Sequence, residues 1–291
     1  MKLKHPIMNA SGVLGAEPEH IDKLVEAGFS AIVTKTFTLE ERPGYPPPIL
    51  VDLGEIGFLN AVGLANPGSK GLSRVIERAK YRGVPIVISI GGGDVNEIIK
   101  LAAASEELGA SAIELNLSCP HVEKHGLEIG RDPRLVYNIV KDTVSVVKIP
   151  IFAKLGLCDL VLESAGKALD GGAKALTLIN TVKAMAIDVY ALRPVLSNKY
   201  GGLSGPAIKP IAIRVVYDIY KEYKANIIGC GGIKTWRDVA EFILAGARAV
   251  QIGSGYLKDH SIVSKLIVGL HQWLILHGFQ TVEEAVGKAH S

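Results

Sequence analysis

The sequence predicts an α/β fold, a (β/α)8 TIM barrel formed by a single domain of 291 residues. Three observations predict it. Eight short apolar runs are spread along the chain, and each is followed by a polar or glycine turn and a segment of helical length. The chain is also slightly longer than the ~250 residues that such barrels need. An open doubly wound sheet fits the same pattern and is the alternative.

The apolar runs are almost continuously hydrophobic, as expected for parallel strands that are covered on both faces. The predicted strands are 6–10, 31–36, 85–90, 112–117, 151–155, 175–180, 226–230 and 249–253. The predicted helices lie near 18–27, 69–81, 94–108, 133–147, 160–170, 207–224, 235–246 and 259–277. The proline-rich stretch 39–67 predicts a long loop over the barrel mouth, because irregular loops of that size are usually functional.

Composition excludes several classes of protein. The net charge is +3 with both signs interspersed, which does not indicate a nucleic-acid partner. Three scattered cysteines predict neither a disulfide framework nor a zinc or iron–sulfur site in this chain. Pro6 and Asn9 interrupt the first apolar stretch, and 266–276 is too short to span a bilayer. We therefore expect a cytoplasmic protein.

The predicted strand ends carry a dense set of polar side chains. In barrels of this type the ends of all strands converge on the C-terminal face. They supply Ser11, Lys35, Thr36, Ser89, Asn116, Ser118, Lys154, Asn180 and Thr181. One lysine there is usually a solvated rim charge, but two favour fixed cations that face an anionic ligand.

Glycine-rich turns follow the last two predicted strands. Gly231 and Gly232 follow the seventh strand, and Gly253 and Ser254 follow the eighth. Such turns let backbone N–H groups surround an anion, and this is the common phosphate site of these barrels. Ordinary tight turns are the alternative. The triple glycine 91–93 lacks the GxGxxG spacing, so we reject a Rossmann dinucleotide site.

The most informative residue is Cys119, which follows a strand that ends in Asn116 and precedes Pro120. A thiol beside a hydrogen-bonding amide is a candidate acid/base or nucleophile. His121 and His125 flank the same loop, and we predict solvated loop residues there, not metal ligands. Cys158 and Cys230 are predicted to be small packing residues.

Several motifs in order resemble the class 1 dihydroorotate dehydrogenases, flavin-dependent barrels of pyrimidine biosynthesis. The stretches that carry the resemblance are 9–12, 35–38, 42–44, 59–68, 116–122, 179–181, 201–206 and the two glycine turns. The stretches 125–130 and 201–210 are most similar to the B subtype. In that subtype an FMN barrel pairs with a subunit that carries FAD and a [2Fe-2S] cluster. The resemblance implies one FMN per chain, a homodimer core and a heterotetramer.

The resemblance also implies roles for individual residues in the oxidation of (S)-dihydroorotate to orotate. Cys119 is implied as the general base that takes the C5 proton while hydride passes from C6 to FMN. The implied substrate-binding residues are Lys35, Asn60, Val62, Gly63, Leu64, Asn116, Asn180 and Thr181. The implied FMN-binding residues are Ala10, Ser11, Lys35, Thr36, Ser89, Asn116, Lys154, Ile179, Gly205, Gly231, Gly232, Gly253 and Ser254.

The chain departs from the family pattern at Tyr45, Leu50, Ala184 and the stretch 155–158. The sequence leaves the electron acceptor open between NAD through a partner chain, fumarate, a quinone and others. Three other functions stay as alternatives: a dihydropyrimidine dehydrogenase-like flavoenzyme, a Schiff-base lyase that uses Lys154 or Lys35, and a non-catalytic scaffold subunit.

Overall fold

The computed structural model describes residues 1–92, 94–118 and 129–291. Gly93, Cys119, Pro120, His121 and His125 lie outside the described residues, and so do the expectations that rest on them. Within the described ranges the chain contains a closed parallel barrel, an outer layer of helices and a separate antiparallel sheet over the barrel mouth.

Eight parallel strands form the barrel, so the predicted TIM barrel is confirmed. Their hydrogen-bonded order is β1, β14, β13, β8, β7, β6, β5 and β2 in the numbering that follows. The strands along the chain are β1 (Ile7–Asn9), β2 (Ile32–Val33), β3 (Leu50–Asp52), β4 (Phe58–Asn60), β5 (Ile86–Ile90), β6 (Ala112–Asn116), β7 (Ile151–Leu155), β8 (Ala175–Leu178), β9 (Val182–Ala184), β10 (Ile187–Asp188), β11 (Arg193–Pro194), β12 (Gly201–Ser204), β13 (Ile227–Cys230) and β14 (Ala247–Ile252).

A buried asparagine closes the barrel between β1 and β2, the two ends of that order. The Asn9 side chain donates from Nδ2 to the Val33 carbonyl at 2.6 Å, and its Oδ1 accepts from the Val33 N–H at 2.9 Å. The Ile7 carbonyl accepts from the Ser30 N–H at 3.0 Å and from its hydroxyl at 2.8 Å. Asn9 thus satisfies backbone groups that a ladder would otherwise pair.

Amphipathic helices surround the barrel. Within the described ranges, eight of them lie at the predicted positions, and two short ones, Ser254–Lys258 and Val282–Ala285, were not predicted. They are α1 (Pro18–Glu26), α2 (Leu72–Tyr81), α3 (Val95–Glu107), α4 (Pro133–Val146), α5 (Val161–Asp170), α6 (Lys209–Tyr223), α7 (Trp236–Ala245), α8 (Ser254–Lys258), α9 (Ile262–Leu276) and α10 (Val282–Ala285). Asp94 and Asp132 cap α3 and α4 through their carboxylates, and Thr235 forms a capping box with Asp238 at α7. None of the described helices is long and apolar enough to cross a membrane.

The barrel interior has two layers of different chemistry. The lower layer is apolar and includes Met8, Val87, Phe152 and Ile228. The layer above it, toward the C-terminal ends of the strands, contains the buried polar side chains of Glu114, Lys154, Thr177 and Gln251. The polar layer therefore lies directly beneath the barrel mouth.

A four-stranded antiparallel sheet covers the mouth, in the order β3, β4, β12 and β9. The segment 39–67 was predicted to be an irregular loop, but it contains the strands β3 and β4. These strands are short, and no local apolar run marks them. β3 pairs with β4, and β4 pairs with residues 202–204 of β12. A small exposed hairpin of β10 and β11 lies between β9 and β12 in the chain.

Candidate active site

A cavity of about 510 Å³ opens at the C-terminal ends of the barrel strands, within the usual size range of ligand pockets. It brings together all the candidate site residues that the structure describes, apart from Ser89. They are Ala10, Ser11, Lys35, Thr36, Asn60, Val62, Gly63, Leu64, Asn116, Lys154, Ile179, Asn180, Thr181, Gly205, Gly231, Gly232, Gly253 and Ser254. Cys119 follows β6 by three residues and lies outside the described ranges.

Four buried polar side chains form what we call the polar floor: Glu114, Lys154, Thr177 and Gln251. The Lys154 ammonium donates to Gln251 Oε1 at 3.3 Å and lies 3.6 Å from Glu114 Oε1. Glu114 Oε2 accepts from Thr177 Oγ1 at 2.9 Å and from Gln251 Nε2 at 2.6 Å. Lys154 and Gln251 line the cavity, while Glu114 and Thr177 lie behind them.

The charge on Lys154 is held by its surroundings. Burial by itself lowers the pKa of this ammonium, but the Glu114 carboxylate outweighs that effect and raises it above the ordinary value. Burial in turn raises the pKa of the Cys230 thiol. The floor therefore presents a fixed cation to the cavity at neutral pH.

A connected group of amides and hydroxyls forms one side of the cavity. Asn116 donates from Nδ2 to Thr36 Oγ1 at 3.2 Å, and its Oδ1 accepts from the Ser118 hydroxyl at 3.0 Å and from Asn180 Nδ2 at 3.3 Å. Asn180 Nδ2 also donates to Ser118 Oγ. Ser89 is buried behind this group, with its hydroxyl 3.0 Å from Thr36 Oγ1. These bonds fix the orientation of both amides before any ligand binds.

Lys35 supplies a second ammonium from the loop after β2. Its Nζ donates to the Gly12 carbonyl at 2.7 Å. Burial lowers its pKa below the ordinary lysine value. Lys35 and Lys154 are thus both cavity cations, but only Lys154 has a carboxylate partner among the described residues.

The glycine turns leave room for an anion at one end of the cavity. Gly231 and Gly232 have φ values of 132° and 75°, which side chains rarely adopt. A β-carbon at Gly232 would lie 2.7 Å from Lys209 Cβ. Ser254 begins α8, where the first N–H groups have no acceptor within the helix. Gly231, Gly232 and Ser254 line the cavity, and their backbone donors suit a phosphate group.

The sheet of β3, β4, β9 and β12 forms what we call the roof of the cavity. Asn60 ends β4 and pairs with Leu50 and Gly202. A β-carbon at Gly202 would come 2.0 Å from Thr181 Oγ1, so β12 closely approaches the residue that precedes β9. After Asn60 the chain passes through 62–64, where a β-carbon at Gly63 would lie 2.9 Å from the Tyr45 ring.

Sequence reasoning assigned no role to several residues of the cavity and the polar floor. Glu114, Thr177 and Gln251 belong to the floor, and Lys183 and Tyr200 line the cavity from the roof, with the Lys183 ammonium 4.7 Å from the Tyr200 ring centre. The available signal for the floor was a glutamate inside an otherwise apolar strand, because such a charge is rarely buried without a partner. Nothing local distinguished Lys183 or Tyr200 from surface residues.

The chain is similar to known proteins over almost its whole length. The family model for dihydroorotate dehydrogenase matches residues 1–274. A protein of Thermoplasma volcanium named dihydroorotate dehydrogenase B (NAD(+)), catalytic subunit, is 47% identical over 99% of this chain and 96% of its own length. One of Pyrococcus furiosus with the same name is 44% identical over 98% and 95%. A protein of Aeropyrum pernix named for the A (fumarate) type is 45% identical over 100% and 95%. The chain belongs to the dihydroorotate dehydrogenase family.

Proposed function

We propose that the chain is a cytoplasmic, FMN-dependent dihydroorotate dehydrogenase that oxidises (S)-dihydroorotate to orotate in pyrimidine biosynthesis. One observation carries the proposal beyond family membership. A single cavity joins a fixed cation on its floor, a group of oriented amides on its side and an anion-sized glycine cradle at its end. Those three features match a flavin ring, a pyrimidine and a phosphate.

The residues present fit FMN. The backbone of Gly231, Gly232, Gly253 and Ser254 would hold the phosphate, because glycine turns and a helix start leave N–H donors free for an anion. Lys154 would face the ring from the floor, and Ala10, Ser11, Thr36, Ile179 and Gly205 would line it. When bound, FMN supplies the hydride acceptor, and a nearby cation favours the reduced anionic form.

The substrate would be held by the second cation and the amides. Lys35 carries a positive charge for the carboxylate, and Asn60, Asn116, Asn180 and Thr181 offer donors and acceptors for the ring amides. Because hydrogen bonds to Thr36, Ser118 and each other orient Asn116 and Asn180, less entropy is lost on binding. Such orientation can supply roughly 7–11 kcal/mol of a barrier.

Cys119 is our proposed general base. An unperturbed thiol has a pKa of about 8.5, so a modest decrease would give a competent base at neutral pH. The thiolate would take the proton from C5 of dihydroorotate, and the electron pair of that C5–H bond would form the C5–C6 double bond of orotate, with bound FMN supplying the acceptor for the hydride of C6. Its position in the chain, after the Asn116–Ser118 group, supports this role.

We further propose the B subtype, with a homodimer core and a partner subunit that carries FAD and a [2Fe-2S] cluster. The names of the Thermoplasma volcanium and Pyrococcus furiosus relatives support it, since both are catalytic subunits of NAD(+) enzymes. The Aeropyrum pernix relative is named for fumarate instead. Copurification of a flavin and iron–sulfur subunit from the native source, followed by NAD⁺ reduction with dihydroorotate, tests the assignment.

The Schiff-base alternative fits the site poorly. A lysine nucleophile needs a lowered pKa, whereas Lys154 is paired with a carboxylate and its pKa is raised. That chemistry would also leave the oriented amides without a role. Lys35 has the lowered pKa, so borohydride trapping with a carbonyl substrate remains the direct check on this residue.

The experiment that tests the proposed function is anaerobic reduction of the FMN-loaded protein. Dihydroorotate should bleach the flavin absorbance and yield one orotate per flavin. A protein that binds no FMN, or whose FMN stays oxidised with excess dihydroorotate, would contradict the proposal. Dihydrouracil and dihydrothymine test the dihydropyrimidine alternative in the same cuvette.

A further inference from the structure

A buried carboxylate behind the cavity has no role in the proposed binding of substrate or FMN. Glu114 lies in the middle of β6 with none of its surface exposed, and it does not line the cavity. Taking a carboxylate out of water is costly unless it is paired and hydrogen-bonded. The barrel interior could hold an apolar residue at this position, as it does one layer below. Packing alone therefore does not explain a carboxylate at position 114.

The two oxygens of Glu114 have different surroundings. Oε2 is anchored by the Thr177 hydroxyl at 2.9 Å and by the Gln251 amide at 2.6 Å. Oε1 has no hydrogen-bond partner within the described part of the chain, and it lies 3.6 Å from the Lys154 ammonium. One oxygen is thus fixed to the barrel wall while the other is directed at the cation of the cavity floor.

Gln251 connects the two charges in a single orientation. Its Nε2 donates to Glu114 Oε2, and its Oε1 accepts from Lys154 Nζ at 3.3 Å. A flipped amide would place a donor against the ammonium and an acceptor against the carboxylate. Ser11 accepts a further hydrogen bond from Lys154 at 3.2 Å. The ammonium is therefore held by three residues from three different segments of the barrel.

We propose that Glu114 is a positioning residue: it is the fixed countercharge that keeps Lys154 charged and in place on the polar floor, and so sets how strongly the reduced flavin is stabilised. The flavin part of this inference rests on the proposed binding of FMN. Cys230, from β13, is the other titratable group beside Lys154 among the described residues. Burial keeps that thiol neutral, which leaves Glu114 as the counter-ion.

Substitutions that separate charge from shape test the inference. Glu114→Gln keeps the size and can keep both anchoring hydrogen bonds, but it removes the charge. Glu114→Asp keeps the charge and leaves a gap. Glu114→Asn, compared with Glu114→Asp, repeats the comparison with the shorter side chains if Glu114→Gln does not fold. Lys154→Arg in the Glu114→Gln background is the control, because arginine does not lose its proton in proteins.

The measurement is the reduction equilibrium of bound FMN without substrate, followed between about pH 6 and about pH 10, where ordinary lysines stay charged over most of the range. In Glu114→Gln the uncompensated ammonium should raise the equilibrium constant for reduction about tenfold at the acid end, equal to about 30 mV for a two-electron couple. This gain should disappear as pH rises, because the buried ammonium without a counter-ion loses its proton. Glu114→Asp should follow the parent, and Lys154→Arg should remove the pH dependence of the difference.

Two results would overturn the inference. One is a neutral variant whose reduction equilibrium follows the parent at every pH. The other is an equal change of the reduction equilibrium in Glu114→Asp and Glu114→Gln, which would show that Glu114 has a packing role alone. Since dithionite reduces the flavin in this assay, the result does not depend on dihydroorotate. A parent protein that binds FMN but does not oxidise dihydroorotate would refute the proposed function and leave this inference standing.

Discussion

The polar floor and the roof of the cavity are built in opposite ways. The floor residues lie on β6, β7, β8 and β14, where every residue of the first three strands is buried. The roof strands are half-exposed throughout β12 and more open in β3 and β9. Buried pairs act at low dielectric and change little, whereas half-exposed strands can adapt. We therefore propose that the floor fixes charge for the cofactor and that the roof selects the substrate.

The largest expected effect is that of replacing Cys119, which is not one of the residues that define the floor or the roof. It tests whether the floor and roof residues bind and orient the ligands while Cys119 transfers the proton. Cys119→Ala should keep bound FMN and orotate affinity, yet lose about 10²–10⁴-fold in the rate of flavin reduction by dihydroorotate, as expected when a general base is removed. Anaerobic stopped-flow absorbance measures that rate. A rate within a few-fold of the parent would mean that the base is another residue. Cys119→Ser is less informative, because a hydroxyl can also accept the proton.

Breaking the ion pair tests the claim that the floor is rigid and buried. Lys154→Met leaves Glu114 without its partner, which should cost about 3–5 kcal/mol of unfolding free energy. Urea unfolding of the apoprotein measures this. The double variant Lys154→Met with Glu114→Gln should recover much of that stability, because no unpaired charge remains. Additive losses in the two variants would show that the residues do not interact.

A substitution in the roof should affect the substrate and spare the cofactor. Asn60→Ala should weaken orotate binding by about twofold to tenfold, the equivalent of about 0.5–1.5 kcal/mol for a hydrogen bond between neutral groups. FMN affinity should not change. Flavin absorbance changes report orotate binding, and loss of FMN fluorescence quenching reports cofactor release. Asn138→Ala, at an exposed position of α4 that does not line the cavity, is the matched control and should change neither. If Asn60→Ala weakened the binding of FMN and of orotate equally, the proposed separation of cofactor and substrate roles between floor and roof would be wrong.

The smallest expected effect concerns Lys35 and Lys154, two of the cations that line the cavity. Burial lowers the pKa of Lys35, whereas the carboxylate partner raises that of Lys154. An anionic ligand favours the protonated lysine, so orotate affinity should be full at neutral pH and should fall as pH rises toward the ordinary lysine value of about 10.4. The decrease should persist in Cys119→Ser and vanish in Lys35→Met. A pH-independent affinity in the parent would show that Lys35 does not carry the carboxylate.

The barrel was predictable because its signals are local. Each buried strand is an apolar run of its own, and caps such as Asp94, Asp132 and Thr235 mark helix starts in the sequence. The candidate side chains were predictable for the same reason, since fold class alone places the ends of all strands on one face.

The roof and the connections within the floor were not predictable, because both depend on partners that are far apart in the chain. Phe58 on β4 pairs with Ser204 on β12, and neither segment has the length or alternation of a typical strand. Glu114 meets Gln251 across the barrel only through the stagger of the strands. Nothing near either residue in the sequence specifies that register.

The most direct measurement of the central claim is the selectivity of flavin reduction between dihydroorotate and dihydrouracil, which differ by the carboxylate. Stopped-flow reduction of the FMN-loaded protein gives the rate constant and the apparent dissociation constant for each. The proposed cavity predicts a preference for dihydroorotate of at least about tenfold to a hundredfold, because the lysine contact to the carboxylate is worth about 1.5–3 kcal/mol. Equal reduction by both compounds would contradict the assignment of this cavity to dihydroorotate.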